Sequence, residues 1–73
     1  MKNILAKLRK ENGLTQQELA ERLKVSRQSI IAIEAGKFNP SVILAIKISR
    51  LFKMPVDEIF IYEEIDEEID DEI

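Results

Sequence analysis

The stretch Leu14-Thr15-Gln16-Gln17-Glu18-Leu19-Ala20, continued by Leu23, Val25-Ser26, Ile30 and Ile33-Glu34, decides how this chain folds. Thr15 and Glu18 stand three residues apart. At that spacing a threonine hydroxyl and a glutamate carboxylate reciprocally satisfy the backbone donors of a helix start. A helix is therefore predicted from Gln16 to Leu23. Lys24 and Val25 interrupt it, and Ser26 is a good cap for a third helix that passes through Ile30 and Ile33 until Gly36 stops it. The small Ala20 lets the two helices approach closely, so the centre of the chain reads as two short helices joined by a tight turn.

Working outward, Ile4, Leu5 and Leu8 form one helical stripe over about residues 3–12, with Gly13 suited to end it in the left-handed conformation. On the other side, Lys37-Phe38-Asn39-Pro40 is a turn. Ser41 caps a fourth helix whose apolar positions are Leu44, Ala45, Ile48, Leu51 and Phe52, and Pro55 ends it. A fifth helical turn fits residues 57–60, with Asp57 and Glu58 favourably placed at its start. No pair of segments reads as a hairpin. The expected class is all-α, a compact five-helix domain over residues 1–60 followed by an acidic tail over 61–73.

With 73 residues and 45% hydrophobic content, the chain supports one packed core. It has no cysteine and no histidine. Disulfides, soft metal ligands and the usual nucleophile and base pairs are thereby removed, so neither metal, cofactor nor enzymatic activity is expected. The acid-rich segment offers no phosphate-cradling glycine loop or fixed scaffold for catalysis either. No apolar run is long enough for a signal peptide or a membrane span, which points to a cytoplasmic protein without a membrane partner.

The net charge of −3 conceals a sharp division. Residues 1–56 hold all 11 Lys and Arg and only four acids, a surplus of seven positive charges, whereas every acid from Asp57 onward belongs to the last seventeen residues. A basic body of this kind suits phosphate-bearing partners.

The run from Leu14 to Ala20, with Leu23, Val25-Ser26, Ile30, Ile33-Glu34, Gly36 and Pro40, resembles the helix-turn-helix family of phage repressor and Cro proteins, also called Xre-like. The resemblance covers about residues 2–60. It implies a lambda-repressor-like domain that binds double-stranded DNA, with the helix beginning near Arg27 in the major groove and the helix beginning near Gln16 across the backbone. By this resemblance Arg27 and Gln28 read base edges, and their side chains suit bidentate contact with guanine and adenine. An exposed Arg-Gln pair is otherwise ordinary surface. The resemblance likewise assigns Gln16, Ser29, Lys37 and Asn39 to phosphates, with Lys10 near the same surface, and pairs Arg9 with Glu34 as a brace. If exposed, that pair is expected to contribute about 0–1 kcal/mol.

Ile31 and Ile43 depart from the small or polar residues usual at those places. Ile31 could pack on a thymine methyl or be a scattered surface hydrophobe. The expected function is a sequence-specific transcriptional regulator, a repressor acting as a homodimer on a palindromic site. Met54, Val56, Ile59, Phe60 and Ile61 crowd apolar surface at the end of a small domain, which suggests the dimer interface.

In the tail, isoleucine recurs at 61, 65, 69 and 73, a loose helical stripe, but eight carboxylates repel one another and favour a frayed or disordered segment. Tethered to a cationic domain, such a tail is expected to compete with random duplex for the DNA-binding face. The alternative is an antitoxin-like module whose tail wraps a basic protein partner.

Overall fold

The computed structural model describes residues 1–63 and Asp66. Five helices follow in order, α1 (Leu5–Glu11), α2 (Gln16–Leu23), α3 (Arg27–Glu34), α4 (Val42–Phe52) and α5 (Val56–Ile59), as the hydrophobic spacing and caps predict. Two short strands frame them, β1 (Lys2–Asn3) and β2 (Phe60–Ile61), paired antiparallel with Lys2 opposite Ile61 and Asn3 opposite Phe60. Two-residue strands at distant places in the chain show no alternation to read, so this short pair is an addition to an all-α, five-helix fold that is otherwise as expected.

The pairing delays the start of α1 and draws in a residue from beyond position 60. Asn3 lies in β1, and α1 begins at Leu5 instead of residue 3. The Asn3 side chain accepts the Leu5 N–H at 3.1 Å and donates to the Ile33 carbonyl at 2.8 Å, joining the start of α1 to the end of α3. Ile61, assigned by sequence to the tail, is a β2 residue. Asp66 is buried, with its carboxylate accepting the Glu63 N–H at 2.9 Å and lying 3.8 Å from the Met1 α-amino nitrogen. The helical stripe and fraying expected further along the tail fall on 64, 65 and 67–73, outside the described residues.

Leu5, Leu19, Ile30, Ile33, Ile48 and Ile59 are fully buried and draw every helix onto one core. Each contributes about 1.5–3 kcal/mol by leaving water. Ile59 and Phe60, expected on a partner surface, are corrected to core residues, 0% and 5% exposed. The reason is that α5 packs on α4 and runs straight into β2, which pairs with β1, so a turn too short to bury its apolar residues alone does so with help. Met54 is half-buried against the core, while Val56 and Ile61 are exposed.

The capping box at α2 forms as the spacing predicts: Thr15 Oγ1 accepts the Glu18 N–H at 3.0 Å, and Glu18 Oε1 accepts the Thr15 N–H at 2.9 Å. The Thr15 N–H foremost, and the Thr15 hydroxyl after it, hold the Glu18 carboxyl below its ordinary pKa. A depressed carboxyl stabilises the fold fully above its unfolded pKa, and the contribution disappears as pH falls through the folded value. Thr15→Ala should cost about 0.5–2 kcal/mol in urea denaturation and move the Glu18 titration, followed by NMR, only part of the way back toward the ordinary glutamate range, since the backbone N–H at residue 15 survives. A Glu18 titration unchanged by the substitution would show that the Thr15 hydroxyl has no share in holding it down. The turn after α2 is made by Lys24 at φ 59°, a left-handed conformation that costs a non-glycine residue roughly 1–2 kcal/mol and sets the entry into α3. Among the described residues, no helix is long and apolar enough to cross a membrane.

Candidate nucleic-acid interface

Ile30 and Ile33 anchor α3 to the core, and that anchoring dictates which of its side chains meet solvent. Arg27, Gln28 and Ile31 are exposed, the first two in the opening turn of the helix. Ser26 caps the helix by accepting the Ser29 N–H at 3.1 Å, and the Ser26 and Ser29 hydroxyls share a further hydrogen bond at 2.9 Å. Ser29 is therefore half-buried and held by its own cap.

Arg27 shares an open cleft of about 610 Å³ with Arg9, Thr15, Gln16 and Gln17. At its base, Arg9 Nε donates to Glu34 Oε2 at 2.7 Å and Arg9 Nη2 to Glu34 Oε1 at 3.2 Å, a bidentate pair. Arg9 Nη1 also donates to the Leu14 carbonyl at 2.9 Å. The hydrogen bonds to Glu34 hold the Arg9 guanidinium above its ordinary pKa, against the opposing cost of burial. Arg9 pairs with Glu34, and the two side chains are only 10% and 8% exposed where α1, α2 and α3 converge, so the small worth of an exposed pair does not apply. Gln16 Nε2 donates one of its two amide hydrogens to Glu34 Oε1 at 3.1 Å. One carboxylate thus fixes both the bracing arginine and a glutamine expected at phosphate.

Lys37 is exposed immediately after the end of α3, Asn39 is half-buried in the α3–α4 turn, and Lys10 is exposed in the last turn of α1. The structure brings Gln16 and Arg27 into one cleft and leaves Lys10 and Lys37 outside its lining. Ile43 faces outward as expected, and Val42 and Ile46 join it, with exposures of 69%, 76% and 46%. Sequence reasoning missed those two because residues 42–46 are apolar throughout, which hides the helical phase.

A sequence profile described as helix-turn-helix matches residues 5–59. An uncharacterized HTH-type transcriptional regulator of Methanocaldococcus jannaschii is 53% identical over 64 residues, covering 88% of this chain and 97% of its own. A second such regulator, from Methanothermobacter thermautotrophicus, is 51% identical over 65 residues, covering 88% and 94%. Among solved structures, the restriction-modification controller protein C.AhdI of Aeromonas hydrophila superposes with a TM-score of 0.67 at 28% identity, over 77% of this chain and 85% of that one.

Proposed function

Because this chain belongs to the helix-turn-helix family of DNA-binding transcriptional regulators, we propose that it is a cytoplasmic repressor that reads a palindromic duplex site as a homodimer. The observation that carries the reading is the division of α3 into a face buried through Ile30 and Ile33 and a free first turn bearing Arg27 and Gln28. A helix clamped on one side and polar at its exposed N-terminal end can enter a major groove without unpacking. Arg27 matches the acceptor pair of guanine, Gln28 the donor and acceptor of adenine, and Ile31 a thymine methyl. Gln16, Ser29, Lys37, Asn39 and Lys10 offer donors to the flanking phosphates, which set register without specifying sequence. Repression follows where the bound site overlaps a promoter, since a domain lying there excludes other proteins from it.

For the homodimer, the exposed side chains of Val56 and Ile61 and the half-buried Met54 supply apolar surface, with Ile59 and Phe60 excluded by their place in the core. Self-complementary surfaces related by a two-fold axis would present two copies of α3 to adjacent half-sites.

The test is selection of bound duplexes from a random pool, followed by substitution. Arg27→Ala or Gln28→Ala should each cost about 1–3 kcal/mol at the selected site and relax preference at one base pair. Lys37→Ala should weaken binding to all sequences alike and lower the salt slope by about 1. Uniform, sequence-independent losses for all three variants would overturn the assignment of reading and positioning residues.

A further inference from the structure

A second cationic surface lies where α2 ends against α4, with no part in the cleft that Arg27 shares. Arg22, Lys24, Lys47 and Arg50 surround Leu23 and Leu51 in an open groove of about 420 Å³. Lys47 Nζ reaches the Leu23 carbonyl at 3.3 Å, fixing α4 against the end of α2. Among the described residues, none of the four cations has an ion-pair partner within 4.0 Å. One turn earlier on the same side of α4 stand the exposed Ile43 and Ile46. Four unpaired cations around apolar side chains form an unusual surface for a domain whose reading helix is elsewhere.

We propose that this groove is the docking site of the chain's own acidic segment beyond Asp66, residues 67–73. Complementarity is the argument, and it holds in both charge and hydrophobic character. The segment reads Glu-Glu-Ile-Asp-Asp-Glu-Ile, with isoleucine at 69 and 73 and five carboxylates beside them. The exposed Ile43 and Ile46 and the half-buried Leu51 are there for the isoleucines, and the four cations for the acids. On the side of α3 that carries Arg27 and Gln28, Ile31 is the one exposed large apolar side chain of that helix, so that side matches the charge of the segment but not its aliphatic spacing. Asp66 is held at the Met1 α-amino nitrogen, and the seven residues beyond it, up to about 23 Å long when extended, set the reach of the tether. A short tether of this kind raises the effective concentration to the millimolar range, so weak contacts suffice.

Docking there would neutralise the cationic surface that cannot read bases and leave the α3 side as the principal basic face presented to duplex. Non-specific encounters would then be directed to the productive orientation.

The chain has no cysteine, so Asp71→Cys in the full-length protein accepts a single nitroxide label. At low salt the label should broaden away the amide NMR signals of Leu23, Lys24, Lys47 and Leu51 and spare those of Arg27, Gln28 and Ile31. Arg22→Glu with Arg50→Glu, both at exposed positions, should restore the lost signals, as should added salt. Broadening centred on α3 would overturn the proposal in favour of a tail that competes for the reading face. Broadening nowhere in the domain would also overturn it. Mixing labelled, unenriched protein with unlabelled, isotope-enriched protein tests the occupant: broadening of groove signals there would assign the groove to the tail of a second copy and not to the same chain.

Discussion

Arg9→Met should destabilise the domain by about 3–5 kcal/mol in urea or thermal denaturation, because it leaves the Glu34 carboxylate charged, nearly buried and without its cation. Both side chains are about nine-tenths withdrawn from water, and the arginine uses three of its nitrogens to bind Glu34 and the Leu14 carbonyl. Such a loss is a large share of the roughly 5–15 kcal/mol that holds a small domain together. The double variant Arg9→Met with Glu34→Leu should recover most of it, since replacing a buried pair with apolar side chains of similar size is often neutral. A loss below about 1 kcal/mol for Arg9→Met would mean that the pair behaves as an exposed one. The variant also bears on recognition, because Glu34 holds the Gln16 amide at 3.1 Å in the cleft beside Arg27.

Ile59→Ala should cost about 2–5 kcal/mol, the range for truncating a buried aliphatic side chain. Ile59 is fully buried beneath the β1–β2 pair, and its carbonyl accepts the Ile4 N–H at 3.0 Å, so loss of packing there loosens the entry into α1 as well. Val56→Asp, one turn earlier, should change the stability of the domain by no more than about 0.5 kcal/mol, because the side chain is exposed and an acid suits the start of α5. The two substitutions separate packing from association. Sedimentation should show Val56→Asp as a folded species with weakened self-association. An unchanged association constant would remove Val56 from the proposed dimer surface, and a mild effect of Ile59→Ala would contradict its place in the core.

The sequence by itself determined the parts of this protein that depend on near neighbours. Thr15 with Glu18, Ser26 with the Ser29 N–H, and Ser41 with the Leu44 N–H are contacts three residues apart, and each appears where the spacing predicted it. The same local signals located all five helices and placed Arg27 and Gln28 at the exposed start of α3. Only the tertiary structure decided what depends on elements far apart in the chain. Strands of two residues were invisible until β1 and β2 met, and their meeting moved Ile59 and Phe60 from an expected interface into the core. The burial of Arg9 and Glu34, 25 residues apart, follows from three helices converging on them. Likewise Arg22 and Lys24 sit on one element and Lys47 and Arg50 on another, and neither pair is remarkable in a charged sequence. Burial and electrostatic environment are properties of the whole packed arrangement, whereas a cap or a helical stripe is complete within a single turn or helix.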